Sequence, residues 1–247
     1  MKLADGLPAA SCQACGGHLL ALDDYRRWNE RAGAAGIADS VRDARTSGAL
    51  PVILAGNCIS SIGTLAGLGA PGPAVIWLDA HADLNTPDTT RSGFLDGMSL
   101  AIATGRCWGA MAAAVPGFRP IADANVCLIG TRDLDPAEVD LLDGSQIREV
   151  HPHYAFLQLT PALDAVRGRA QTAYLHIDLD VLDPEEGRVN QFATPGGFLL
   201  GQVMAVIRSI RQRFEIGAVA LTAYDPTCDP EGRICAAAEV ILREVLA

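Results

Sequence analysis

Two short acidic segments carry the residues best equipped for chemistry. Asp79, His81 and Asp83 alternate in Asp79-Ala80-His81-Ala82-Asp83, and Asp178 and Asp180 alternate in Asp178-Leu179-Asp180. Alternate side chains of an extended chain project to the same side, so each segment can aim its polar groups at one point. Aspartate is also a common turn residue after strands, and either segment alone fits that role as well. The two together are harder to treat as turns. Several carboxylates at one low-dielectric place repel one another, and divalent cations are the usual neutraliser. Four aspartates and one histidine make a hard, oxygen-rich donor set suited to Mn²⁺. Two such ions roughly 3.5–4 Å apart share a bridging water, bring its pKa toward neutrality and hold hydroxide beside an electrophilic carbon. The expected chemistry is hydrolysis without a protein nucleophile.

The elements that must position these groups are legible around them. Each acidic segment follows an apolar run, Val75-Ile76-Trp77-Leu78 in one case and Tyr174-Leu175-His176-Ile177 in the other. Short apolar runs at 51–55, 74–78, 124–129, 173–177 and 218–222 alternate with stretches of helical spacing at 59–68, 136–142, 161–167, 201–214 and 233–245. That alternation reads as a parallel sheet with crossover helices in a single α/β domain over 1–247. The stretches 85–97 and 184–197, rich in Pro, Gly and Thr, read as long functional loops. In open α/β sheets ligands collect beyond the carboxyl ends of the strands, where both acidic segments lie.

Whole-chain properties narrow the partners. The 247 residues carry a formal charge of −10, which disfavours binding to a phosphate backbone, so nucleic acid is not an expected partner. No apolar run approaches the ~18 residues of a membrane span, and no signal-like segment opens the sequence, so a cytoplasmic location is expected. The seven cysteines, an odd number, argue for reduced thiols rather than a disulfide framework. Cys12 and Cys15 form a CxxC near His18, but no second ligand pair follows at zinc-site spacing, so no structural metal is expected there. His151 and His153 sit on a Pro-containing stretch and read as surface residues.

Four ordered motifs resemble the ureohydrolase family of arginases, agmatinases and formimidoylglutamases. They are Ala55-Gly56-Asn57-Cys58, the segment from Trp77 to Pro87, Gly93-Phe94-Leu95-Asp96-Gly97-Met98, and His176-Ile177-Asp178-Leu179-Asp180-Val181-Leu182-Asp183-Pro184. The resemblance implies a three-layer α/β/α fold around a mostly parallel sheet of about eight strands. It also implies two Mn²⁺ ions, one held by Cys58, Asp79, Asp83 and Asp178, the other by His81, Asp79, Asp178 and Asp180. Asn85, Ser92 and Asp135 fall where arginases grip the α-carboxylate and α-amino groups of their substrate, and Thr194 matches a pocket threonine.

Three positions depart from that pattern. Cys58 stands where the family usually has a histidine ligand, and a thiolate makes Zn²⁺ or Fe²⁺ more competitive with Mn²⁺. Asp96 replaces a proton-shuttle histidine and is the candidate catalytic acid or base, with a helix-capping role as its alternative. Ala223, in Leu221-Thr222-Ala223-Tyr224-Asp225-Pro226, replaces the glutamate beneath the guanidinium, with Asp225 or Asp229 as possible substitutes. The first two changes resemble the Nω-hydroxy-L-arginine amidinohydrolase branch. Residues 1–50 show no clear opening strand or glycine-rich loop, as in a shortened or diverged N-terminus that leaves a sheet edge open to a second copy of the chain. The expected activity is hydrolysis of a C–N bond in a guanidino, hydroxyguanidino or formimino amino acid, with ordinary arginine disfavoured. The alternatives are a metal-binding but inactive relative with a structural or regulatory role, and a one-zinc site of the deacetylase kind.

Overall fold

The computed structural model describes residues 33–247. The CxxC at Cys12 and Cys15, with His18, lies outside them. Six strands form one parallel sheet: β1 (Val52–Leu54), β2 (Ala74–Leu78), β3 (Val126–Ile129), β4 (Arg148–Val150), β5 (Thr172–Asp178) and β6 (Glu215–Thr222). Their order across the sheet is β1-β6-β5-β2-β3-β4. The expectation of about eight strands is corrected to six among the described residues.

Helices cover both faces, giving the expected three layers. On one face α1 (Ala34–Thr46), α2 (Ser61–Leu68), α3 (Ser99–Ala103) and α4 (Gly109–Ala113) pack with Val75, Trp77, Leu128, Tyr174 and Ala220. On the other, α6 (Ala155–Arg167), α7 (Leu200–Arg211) and α8 (Arg233–Leu246) pack with Ile76, Leu78, Leu175, Ile177 and Val219. The short α5 (Pro136–Asp143) follows β3 and borders the site. The central strands β2 and β5 are buried on both faces, which is why their sequences are nearly continuous apolar runs.

Chain order explains where the site falls. From β2 the chain moves outward through β3 and β4, then returns to β5 on the other side of β2 and continues to β6. The crevice between β2 and β5 is therefore a topological switch point, the usual ligand position in such sheets. Trp77 pairs with His176 and Leu78 with Ile177, so Asp79 and Asp178 emerge side by side.

Several elements differ from the sequence reading. Helix α1 lies within residues 1–50, where no helix was expected; its buried positions, Ala34, Ala38 and Val41, are too small to stand out in a hydropathy pattern. Strand β4 has one buried residue, Val150, and carries no apolar run. Helix α6 begins six residues before the expected start at Pro161, which sits inside it. The proline removes one internal hydrogen bond to Leu157, whose exposed position lets water reach the freed carbonyl.

At the edge strand β1, Val52 and Leu54 are 38% and 44% exposed. Among the described residues no helix is long and apolar enough to cross a membrane.

Helices α1 and α2 approach closely at Gly67, where an added Cβ would lie 2.5 Å from Val41 Cβ and 2.7 Å from Ala38 O. Gly67→Ala should destabilise the fold by about 1–3 kcal/mol through overpacking. Chemical denaturation should show this as a lower midpoint with an unchanged slope.

Candidate metal centre

The loop after β2 is shaped by hydrogen bonds that leave its carboxylates facing one another. Asp79 N–H still bonds to Ile129 O at 3.1 Å, extending the ladder to β3 by one residue. Asp79 Oδ2 accepts from Trp77 Nε1 at 3.0 Å, and Oδ1 accepts from His81 N at 2.8 Å. Asp83 has φ 53°, a left-handed conformation that aspartate tolerates better than most residues, and its carbonyl accepts from Ala101 N. Gly130, at φ 105° beside this loop, has no room for a side chain: a Cβ would meet Val181 Cγ2 at 2.6 Å and Asp79 O at 3.0 Å.

The loop after β5 repeats the device. Asp178 Oδ1 accepts from Asp180 N at 2.8 Å, and Asp180 Oδ1 accepts from Ala80 N at 3.1 Å, which ties the two loops together. Cys58, at the start of a 3₁₀ turn following β1, donates its thiol to Asp178 Oδ2 at 3.0 Å. His81 Nδ1 lies 3.4 Å from Asp79 Oδ1 and 3.3 Å from Asp180 Oδ2. Asp83 Oδ2 is buried with no hydrogen-bond partner among the described residues.

The electrostatics record the crowding. Burial, with the charge of Asp180, pushes Asp79 up to about 7. Burial and neighbouring carboxylates push Asp83 and Asp178 well above the usual range. Burial also raises the Cys58 thiol, with Asp178 next in effect. Burial opposes charge on His81, but Asp180 and Asp79 overcome it and raise the imidazole to about 12. For Asp180 burial acts upward, yet His81 holds it below the ordinary carboxylate range. Two overlapping groups have ligand atoms all within 4.8 Å of one another: Asp79, His81 and Asp180, and Cys58, Asp79 and His176. An orphaned oxygen, carboxyls whose proton affinity is raised and a buried thiol beside them form a donor set that fits divalent cations.

Asp96 lies beneath the Cys58 turn. Its Oδ1 accepts from Ile59 N at 3.0 Å and its Oδ2 from Asn57 Nδ2 at 3.2 Å. Burial raises it to about 6, against these hydrogen bonds. Its backbone and side-chain oxygens also accept from Ser99 Oγ.

The other expected residues hydrogen-bond within the loops around the cluster. Asn85 Nδ2 donates to Asp135 Oδ2 at 3.0 Å. Ser92 is exposed, and its Oγ accepts from Phe94 N. Thr194 Oγ1 donates to Asp133 Oδ2 at 2.9 Å, and the same Asp133 oxygen lies 3.9 Å from His81 Nε2. Phe94 and Phe192 stack with ring centroids 5.6 Å apart. Neither expected substitute for the missing glutamate at Ala223 is free to act as one. Asp225 is engaged by Thr227, and Asp229 Oδ2 accepts from Tyr224 Oη and from Ile234 and Cys235 N–H at the start of α8.

Three contributors escaped the sequence reading. Glu138 accepts from Asp135 N and Leu84 N, clamping the first metal loop to α5. Its signal was available, a glutamate three residues after a helix-capping aspartate. Arg132 donates to the carbonyls of Gly130, Asp180, Leu182, Thr194 and Pro195, and so ties the second acidic loop to the 194–195 loop. No local pattern marks it. His176 alternates with Asp178 as His81 does with Asp83, and was read only as part of a strand.

A parallel α/β sheet with an acidic cluster of metal-ligand type at its switch point defines the class. Residues 9–247 match the family model described as "Arginase: Arginase family". The chain is 34% identical over 198 residues to the N(omega)-hydroxy-L-arginine amidinohydrolase of Streptomyces lavendulae, covering 78% of this chain and 68% of that protein. It is 27% identical over 205 residues to the arginase of Brucella melitensis, with coverage of 75% and 64%. The crystal structure of arginase from Bacillus subtilis superposes with TM-score 0.80 at 27% identity, covering 87% of this chain and 77% of that one. The chain belongs to the arginase family. It spans about two thirds of the length of these two sequence relatives.

Asp79 and Asp96 hold protons more tightly in the folded chain than at their ordinary value of 3.8. The stability linked to them is complete below pH ~4 and is lost as pH rises through their folded values. Asp180, held low, acts below that window. Buried His176, lowered to about 3, gains stability as pH rises toward 6.5 and opposes the loss, but Asp83 and Asp178, also raised, act with Asp79 and Asp96 and outweigh it. The melting temperature of the chain in chelator should fall between pH 4 and 7, and saturating Mn²⁺ at pH 7 should restore it. A flat or rising profile in chelator would contradict this electrostatic picture.

Proposed function

We propose that the chain is a binuclear-metal amidinohydrolase that splits a C–N bond of a hydroxyguanidino or guanidino amino acid. The observation that carries this reading is the convergence of Cys58, Asp79, His81, Asp83, Asp178 and Asp180 from three sheet-end loops. In this reading Cys58, Asp79, Asp83 and Asp178 hold one ion, and His81, Asp79, Asp178 and Asp180 hold the other. A pair of divalent cations would supply the acidity that lets water attack near neutral pH and the positive charge that a tetrahedral carbon centre needs.

The protein's own residues do the positioning. Trp77 Nε1 and the N–H groups of Ala80, His81 and Asp180 each occupy a carboxylate lone pair, which orients the remaining ones inward. Asp96 fixes the Cys58 turn through Ile59 and Asn57, and its raised carboxyl can carry a proton near neutrality for the departing amine. Asn85, Ser92, Asp135 and Thr194 offer donors and acceptors for the α-amino and α-carboxylate groups. The loop at Ala223 supplies no carboxylate, and Asp225 and Asp229 are engaged elsewhere. A strongly basic guanidinium would lack a countercharge there, whereas the less basic hydroxyguanidine depends on one less. The S. lavendulae relative is named for that substrate.

With Mn²⁺ loaded, Nω-hydroxy-L-arginine plus water should give L-ornithine and hydroxyurea. Catalytic efficiency on L-arginine should be lower by at least about tenfold, equivalent to about 1.4 kcal/mol. The Asp79→Ala, Asp178→Ala double variant should reduce both to background. If neither substrate nor a formimino amino acid is turned over above that variant, the hydrolase reading fails. Metal binding with no turnover would favour the inactive-relative reading that the absence of a carboxylate at Ala223 invites.

A further inference from the structure

One imidazole in the centre has no place in the donor set above. His176 is fully buried on β5, in register with Trp77 on β2 and two residues before Asp178. Its ring stacks on the Trp77 indole, with centroids 3.6 Å apart and planes 15° from parallel. Trp77 in turn donates to Asp79, so the ring plane is fixed by a residue that also fixes a carboxylate of the cluster.

His176 Nδ1 is 2.9 Å from Tyr174 Oη, and which of the two donates depends on the tautomer of the ring. With the proton on Nδ1, donated to Tyr174 Oη, the lone pair of Nε2 is left for a metal ion. A metal-binding histidine characteristically has its other nitrogen held by such a partner.

A buried core histidine satisfied by its neighbours is the simpler reading, and the contacts of Nε2 argue against it. Its protein partner there is Thr222 Oγ1, at 3.4 Å. That hydroxyl has one hydrogen and stands 3.2 Å from Cys58 Sγ and 3.4 Å from Asp178 Oδ2 as well. In either tautomer Nε2 shares this one long contact with two other polar groups. Cys58 and Asp79 offer ligand atoms within 4.8 Å of a His176 ring nitrogen and of each other.

We infer that His176 supplies a nitrogen ligand from β5 in place of the histidine absent at position 58, so that Cys58, Asp79 and His176 hold one metal ion together. This rests on the metal-centre reading above. The two subsites then differ in character. The Cys58 and His176 side carries a thiolate and an imidazole and favours Zn²⁺, Co²⁺ or Fe²⁺, while the His81, Asp79 and Asp180 side has mostly oxygen donors.

The test is ¹⁵N NMR of the full chain labelled in histidine, stripped of metal and titrated with Zn²⁺, with His176 assigned through His176→Gln. The expected result is that both His81 and His176 acquire the shift of a metal-bound imidazole. His176→Gln should lose one of these signals and bind one Zn²⁺ at least about tenfold more weakly. If that variant does not fold, a chain carrying His18→Gln, His151→Gln and His153→Gln leaves only His81 and His176 to count. Two metal-bound imidazoles then support the inference, as does a single one that persists in His81→Gln; a single one that is lost in His81→Gln overturns it. Zinc on His81 with the His176 signal unmoved overturns this inference alone. A chain in which neither residue binds zinc overturns this inference, and only a chain that also fails to bind Mn²⁺ and Co²⁺ overturns the metal-centre reading.

Discussion

Four carboxylates from two adjacent strands are confined to a few ångströms of low-dielectric protein, and the rest of the site answers to their mutual repulsion. Without cations, burial and mutual repulsion raise Asp79 to about 7 and Asp83 and Asp178 well above the usual carboxylate range. The surrounding framework holds these groups together despite the repulsion. Ala80 N–H reaches across to Asp180, Trp77 pins Asp79, and Glu138 binds the first loop to α5. Arg132 gathers five carbonyls under the second loop, and burial lowers its own pKa. Such a framework opposes folding stability unless it is used, and a pair of divalent cations turns the repulsion into attraction.

The same constraint explains the location of the site. Only two neighbouring parallel strands whose connections leave in opposite directions can deliver two loops to one crevice without crossing, and β2 and β5 are that pair. Their in-register ends, Leu78 against Ile177, translate the sequence alternation of Asp79, His81 and Asp83 and of Asp178 and Asp180 into a shared pocket.

What could be read beforehand follows from how local each signal is. The buried strands at 74–78 and 173–177 and the acidic segments after them are local patterns, and they were legible. Helix α1 was not, since its buried face is mainly alanine, nor was β4, with Val150 as its one buried residue. Within the site, Asp96 was legible as a candidate by motif position, but its contacts with Ile59 and Asn57 depend on residues nearly forty positions away. His176 was hidden by its strand context. Its partnership with Cys58 spans more than a hundred residues and exists only once β1, β5 and β6 lie side by side.

The central claim is that these carboxylates exist to hold two cations. Equilibrium dialysis of the chelator-stripped chain at neutral pH against Mn²⁺, Co²⁺ and Zn²⁺ in parallel, followed by elemental analysis, tests it most directly. The account predicts two ions per chain for at least one of these metals. A ceiling of one ion per chain for all three, or none, would contradict it.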